Sequence, residues 1–535
     1  MNHPVAPPLR SVCGSAKYKY PDMKKIFFPI LIASSMMALL SSCDEDMPTQ
    51  IDYESYDFAS LDENGGNWKP VLLTSSSQIG IPAPSDITSA AYLAELADLK
   101  AASTQPTAEQ QEAIKYWGSN ALVRWNEIAR ELAAKYNLAP APNPDGSYSV
   151  PNSSTPDQYP YFPFAHPPYS CRAFAYWGAA QFDALIAAWH YKYQFNRPAP
   201  YVTDATIQTH LPENGLPSYP SEGAVIAAVS KSILTAMFPL EKDFIAKKAE
   251  EHENSLQWAG MNVKSDIIAG DSLGRAVAAV FLGRAKTDGM KNAQVPRAVS
   301  DSLRDAAQTK WGWHWNNLED PPRPVGITPF FGRVKTWCIP GVEAVRPAPP
   351  PAPGTPEFLA AAKELQDIAD NLTTEQRKTA NFWSDGLGTY TPPGHWNRFA
   401  SDLMVKYRYN PLRSARVFAY LNMAVMDAGI SCWDAKYYYH YPRPSQAIPG
   451  FKTILGIPNF PSYTSGHSSF SSAAATVLSH IFPAEASTCE AWAREAAESR
   501  IYAGIHYRFD AEAGISQGKA CGDYTLEVAK KDGAE

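Results

Sequence analysis

Along most of the chain apolar residues recur at intervals of three and four, and no long stretch alternates apolar with polar as a strand would. That period predicts helices throughout. The apolar stretch after Ser465-Gly466-His467, SSFSSAAATVLSHIF, reads as one helix, and Ser487 to Glu490 reads as a capping box opening another. One apolar run is different. Ile26 to Leu40 is 15 residues long, follows Lys24-Lys25 and ends at Leu40-Ser41-Ser42-Cys43. It is too short and wrongly flanked for a spanning helix.

The helical pattern also repeats. Residues 170–192 align without a gap to 414–436, with identities at 11 of 23 positions, where average composition would give roughly one or two. The match continues from Leu216 to Gly223 against Phe460 to His467. Upstream, Trp125-Asn126 to Lys135-Tyr136 answers Trp396-Asn397 to Lys406-Tyr407. The expected fold class is therefore all-α, two related helical bundles in tandem. The expected division is a signal region 1–43, a tether 44–65, a first half 66–290, a linker 291–356 with a Pro-rich end, and a second half 357–535. A proline-rich loop, 139–169, interrupts the first half.

Charge and composition narrow the function. Residues 1–42 hold five of the 47 basic and one of the 54 acidic residues, so the remainder carries 42 against 53, a net charge of −11. No basic patch suggests nucleic acid. Beyond Cys43 there are five cysteines, at 171, 338, 432, 489 and 521, an odd and irregular set that gives neither a zinc site nor a full disulfide framework. A bridge from Cys489 to Cys521 is left open. The start at Met23 resembles a bacterial lipoprotein signal with Cys43 as the lipid-acceptor residue. That resemblance implies a lipid-anchored protein of the bacterial cell envelope, held to the membrane by its anchor only. The acidic run Asp44-Glu45-Asp46 resembles a surface-export signal and equally suits a solvated tether.

Candidate chemistry sits in three ordered segments of the second half: Lys436 to Pro444 (KYYYHYPRP), Ser465-Gly466-His467, and Ser499 to Asp510 (SRIYAGIHYRFD). Lys436, Arg443 and Arg500 can neutralise a tetrahedral oxyanion, while Ser465 and the Gly466 amide can donate to it from a helix N-terminus. His506 is the candidate nucleophile or axial ligand, and His467 the candidate acid/base. Asp510, four residues beyond His506, can fix its tautomer. Arg500 and His506 would face apart on one helix unless the chain breaks, and Gly504 is the expected break. His395 is expected to be a packed loop histidine or to line the pocket mouth, and His440 to be peripheral.

The pattern of Lys, six residues, Arg-Pro, then Ser-Gly-His, then Ser-Arg, five residues, His, three residues, Asp resembles the type 2 phosphatidic acid phosphatase and vanadium-dependent haloperoxidase superfamily. The resemblance implies that Lys436, Arg443, Ser465, Gly466, His467, Arg500 and His506 form an oxyanion site. In the haloperoxidase branch His506 would ligate vanadate, with peroxide, halide and in some cases an organic acceptor as substrates. In the phosphatase branch it would attack a phosphate ester without a cofactor. The run His506-Tyr-Arg-Phe-Asp-Ala resembles the haloperoxidase form, as do Trp433 and Phe460, placed where that branch frames the halide with aromatics. The first half keeps Lys192, Arg197-Pro198 and Ser221. It has Glu222-Gly223 for Gly466-His467 and, aligned through SDIIAGDS, Asp266 and Ser272 where Arg500 and His506 stand. It is expected to be a scaffold without an active site, Lys192 and Arg197 pairing with Asp183 or Glu222.

Overall fold

A computed structural model describes residues 53–535, so Cys43 and the signal region lie outside the described residues. Among those residues 15 helices of nine residues or more occur, and there are no strands. They are α1 (Ala90–Thr104), α2 (Ala108–Gly118), α3 (Ala121–Tyr136), α4 (Pro167–Phe195), α5 (Glu222–Met237), α6 (Lys242–Trp258), α7 (Lys264–Ala285) and α8 (Arg297–Trp311). The second part of the chain adds α9 (Pro356–Asp370), α10 (Thr374–Phe382), α11 (Thr391–Lys406), α12 (Pro411–Tyr439), α13 (Gly466–Ile481), α14 (Ala486–Tyr502) and α15 (Arg508–Ala529). No helix among them is long and apolar enough to cross a membrane.

Two of these helices set the architecture. The chain enters α4 through His166 and α12 through Asn410, each accepting an N–H three residues on, with proline at the first turn where no donor is lost. Both leave through a left-handed residue, Asn196 at φ 47° and His440 at φ 50°. Each runs 29 residues, about 43 Å at 1.5 Å per residue, and is buried over most of its length. The two pack face to face at the centre of the molecule. A side chain at Gly178 would stand 2.7 Å from the Phe418 carbonyl, so the glycine permits the close crossing.

Around this pair, α4 to α7 and α12 to α15 match helix for helix, with equal lengths of 29, 16, 17 and 22 residues. The register is one shift of 244 positions, from Lys192 to Lys436 and from Ser221 to Ser465. Interactions made by the matched residues repeat as well. Asp183 accepts the amides of Val71, Leu72 and Leu73, as Asp427 accepts those of Trp337, Cys338 and Ile339. Arg172 pairs with Asp288 at 2.7 Å and Arg416 with Asp532 at 2.7 Å. The indole N–H of Trp189 donates to the Leu61 carbonyl and that of Trp433 to Ile327, both at 3.0 Å. The matching residues of α3 and α11 meet directly, Asn126 Nδ2 donating to Asn397 Oδ1 at 2.8 Å.

Several expected boundaries move. Residues 53–65 of the tether pack on the body: Asp62 bonds Arg413 and Asn410, and Ala59 N–H donates to the Arg408 carbonyl. The linker contains α8, and its tail 326–351 lies over α12 through Ile327, Pro347 and Pro351. Ser487 does not cap a helix, because α14 already begins at Ala486 after a 3-10 turn at Pro483–Glu485. Residues 53–535 form one compact unit. All five described cysteines are free, so Cys489 and Cys521 are not bridged.

Candidate active site

The three segments converge because each sits where a helix starts or stops. Lys436 is in the last turn of α12, and left-handed His440 turns the chain back so that Arg443 follows within a few residues. Ser465 caps α13, Gly466 and His467 open it, and Arg500 lies in the last turn of α14. Gly504, at φ 74°, breaks the chain as expected and places His506 in the turn before α15. A side chain at Gly504 would stand 2.9 Å from the Phe451 ring. Asp510 is therefore not one helical turn from His506 on a shared helix. It is the third residue of α15, where its Oδ2 also accepts the Tyr507 N–H and closes the helix start.

His506 is the best-defined group. Its Nδ1 lies 2.9 Å from Asp510 Oδ2, an ionised-type acceptor that also takes the Ser462 hydroxyl at 2.5 Å. The Nδ1–H therefore points at the carboxylate, and Nε2 keeps its lone pair, with Arg443 Nη1 3.2 Å away. Burial holds the imidazole well below its ordinary pKa, and the nearby Arg443 and Lys436 charges push the same way. A neutral ring whose Nε2 lone pair takes only the Arg443 hydrogen bond can bond a phosphorus or vanadium centre once that bond gives way.

The cations serve two purposes. Lys436, Arg443 and Arg500 are at most 1% exposed. Arg443 donates to the carbonyls of Phe460 and Ile505, and Arg500 to that of Ala380. The three donors of Lys436 all go to backbone carbonyls, of Pro461, Ser462 and Thr464. Lys436 was expected to donate to the anion. Here its hydrogen bonds hold the 461–464 loop, and its charge acts on the site through space. Burial pushes Lys436 down, and Arg443 and Arg500 to about 10, the direction expected of cations short of counter-charge.

Sequence reasoning missed one residue. Asp385, held at φ 44° in the turn after α10, lies 3.1 Å from His395 Nδ1 and 3.6 Å from His467 Nε2. Although burial opposes it, the His395 hydrogen bond and the proximity of His467 bring its pKa down to about 2. Burial and the Arg500 charge hold His467 at about 4. His395 is thus neither a pocket lining nor a bystander; it fixes the carboxylate that faces His467, under the ring of Trp383 at 4.6 Å. The Asp385-Gly386 pair is a turn signal, but nothing local links it to His467.

The donor set suits a tetrahedral oxyanion. Three buried cations face two carboxylates, Asp510 and Asp385, and His467 Nε2 and Ser468 Oγ are buried without a hydrogen-bond partner. A side chain at Gly466 would meet only Phe470 and Trp433, at 3.7 and 4.0 Å, so packing does not require glycine and the bare amide face is free for a close ligand. Phe460 forms one wall, its ring 5.1 Å from both Lys436 Nζ and the Arg443 guanidinium. Trp433 backs it at 4.9 Å and is itself buried.

The equivalent place in the first half differs from the expected alignment. Ser221 N–H donates to the Asp266 carbonyl as Ser465 N–H does to Asp510, and Val263 and Tyr507 begin their helices the same way. Asp266 is therefore the counterpart of Asp510, and Leu256 that of Arg500. The counterparts of Arg443, His467 and His506 are Ala199, Gly223 and Asn262, while Arg197 answers Tyr441. The shared Ala-Gly of SDIIAGDS and SRIYAGIH misleads because the glycines differ in use. Gly504 breaks the chain, whereas Gly270 lets α7 approach α5. Lys192 pairs with Glu222 at 2.7 Å, and Arg197 with Asp266 at 3.0 Å. Asp183 takes neither.

Residues 416–532 match the family model described as the PAP2 superfamily. No curated protein matches. Among solved structures the chain is similar to "Crystal structure of the first bacterial vanadium dependant iodoperoxidase", at TM-score 0.54 and 23% identity, over 68% of this chain and 91% of that one. It is also similar to holo-type and apo-type bacterial vanadium-dependent chloroperoxidase, at TM-scores of 0.47 and 0.48 and 14% identity. These cover 72% and 68% of this chain and 97% and 94% of those. The first of these likenesses establishes a shared all-helical fold. The segment that matches the family model runs from α12 to α15 and contains all three cations, both imidazoles and Asp510.

Proposed function

We propose that this chain is a vanadate-dependent haloperoxidase, oxidising halide with hydrogen peroxide. The observation that carries the reading is the wall beside the cations: Phe460 lies over Lys436 and Arg443, backed by Trp433. An apolar, weakly hydrated surface suits a soft anion such as iodide or bromide and does nothing evident for a phosphate ester.

His506 Nε2 would hold vanadate, with Arg443, Arg500 and Lys436 spreading its charge and the Ser465 hydroxyl and Gly466 amide donating to its oxygens. When bound, vanadate supplies a Lewis-acid centre that activates peroxide toward halide. Asp510 keeps the His506 proton on Nδ1, so the lone pair stays on Nε2. His467 moves protons at Nε2, and Asp385 steadies it. Burial keeps the site dry, which strengthens each of these interactions.

A phosphatase acting on phosphate monoesters is the second reading, favoured by the same unprotonated Nε2, which could attack phosphorus directly. The discriminating experiment loads the purified protein with orthovanadate and measures peroxide-dependent iodide oxidation. Hydrolysis of p-nitrophenyl phosphate is measured beside it without vanadate. Vigorous hydrolysis with no iodide oxidation after loading overturns the haloperoxidase reading.

A further inference from the structure

The first-half counterpart of the oxyanion pocket is not filled in. Four substitutions along the shared register, Arg443 to Ala199, Arg500 to Leu256, His467 to Gly223 and His506 to Asn262, replace large polar groups by smaller ones. A cavity of about 100 Å³ remains there, lined by these residues together with Leu216 and Ile226. One water needs only about 10–15 Å³, and an engineered apolar cavity of about 150 Å³ holds benzene. The space is smaller than that cavity but is open on one side, so a small ring can enter with one edge at the mouth.

Its chemistry differs from that of the second half. The charges that could bind an anion are internally cancelled, Lys192 against Glu222 at 2.7 Å and Arg197 against Asp266 at 3.0 Å. Two polar groups on the lining stay available. Tyr201 is 8% exposed, and its hydroxyl is buried without a hydrogen-bond partner. His252, 1% exposed, accepts the Trp125 indole N–H on Nδ1 at 3.2 Å, so its proton sits on Nε2. A side chain at Gly223 would meet the Leu256 methyls at 2.8 and 2.9 Å and that nitrogen at 3.4 Å, so Leu256 and the His252 Nε2–H both border the gap. Trp117 stacks on the same imidazole at 4.5 Å.

We infer that the first half holds a second binding site, distinct from the oxyanion site, for a small neutral organic molecule of about one ring bearing an acceptor oxygen. The apolar walls take the ring, and the Tyr201 hydroxyl and His252 Nε2–H take the oxygen. The site is independent of which reaction the second half performs.

Phenol is the probe. Crystals of the full chain are soaked in millimolar phenol, and phenol is titrated by calorimetry into the parent, Ala199→Leu and Tyr201→Phe. The expected density places the ring between Ala199 and Leu256, with oxygen toward Tyr201 and His252. Ala199→Leu is expected to abolish the heat while leaving the melting temperature near the parent's. Tyr201→Phe, which loses one hydrogen bond, is expected to weaken binding roughly three- to tenfold. If Ala199→Leu does not fold, Leu256→Trp closes the cavity from the other side with the same expected loss. Phenol found only beside His506, or nowhere, overturns the inference. So does undiminished phenol binding by a folded cavity-filling variant.

Discussion

His506 and His467 are both buried imidazoles near the same cations, yet their surroundings assign them different work. His506 has its Nδ1 committed to Asp510 and its lone pair on Nε2, so His506→Ala removes the nitrogen that would hold vanadate. Vanadate binding measured by calorimetry should disappear in that variant. His467→Ala should bind vanadate nearly as well as the parent and lose about 10²–10⁴ in turnover, the usual cost of a positioned acid/base. Tight binding by His506→Ala would make the ligand assignment wrong. Asp385 permits a finer test. Its carboxylate raises the proton affinity that burial and Arg500 lower at His467, so Asp385→Asn should move the His467 limb of the pH–rate profile to lower pH. An unmoved limb would leave Asp385 with a packing role only. Lys436, Arg443, Arg500 and both imidazoles were legible because each belongs to a short local motif. Asp385 was not, because its contact with His467 exists only after α10 and α13 have packed.

At the scale of helices, the site depends on how two of them end. Gly504 takes a backbone conformation that costs a residue with a side chain roughly 1–2 kcal/mol, and here a Cβ would also press on Phe451. Gly504→Ala should therefore destabilise by at least about that amount. Its loss of turnover should exceed what the lost folded fraction explains, since an error of 1 Å at His506 can cost on the order of 10². Melting curves and activity per folded molecule separate the two. The helix starts carry a pH signal as well. His166 caps α4 through Nδ1, and burial, aided by Arg323, holds its pKa at about 3. Unfolded, it titrates near 6.5, so between those values the unfolded chain binds the extra proton and stability falls as pH falls. Asn410 performs the same capping without titrating. His166→Asn should thus match the parent near pH 7 and gain on it by about 2 kcal/mol at pH 5, from 1.36 kcal/mol per unit. Denaturant unfolding at the two pH values tests this, and parallel losses in both proteins would refute it. Helix type and the Gly504 break followed from sequence period and residue chemistry. The Ser487 cap did not, because the 3-10 turn before α14 sets that start.

Over the whole molecule, the repeat was legible from identities, but its register near the site was not. A short string with a shared Ala-Gly outweighed the constant shift of 244 that the helix lengths obey. The corrected register changes what Arg197 means. It is no relict of an anion-binding arginine; it neutralises Asp266, the first-half counterpart of the carboxylate that orients His506. Both partners are buried, at side-chain exposures of 1% and 0%, and burial, against the pull of Arg197 and Lys192, pushes Asp266 up to about 6. Removing one partner of such a pair typically costs about 3–5 kcal/mol, because the other charge is left without compensation. Arg197→Ala should therefore unfold at markedly lower temperature, while turnover per folded molecule stays at the parent value. Arg443→Ala should do the reverse in part, losing turnover through His506 and the 460–461 carbonyls it braces. Calorimetric melting and active-site titration of both variants decide the matter. A well-folded Arg197→Ala protein that has lost activity beside a working Arg443→Ala would put the active site in the first half.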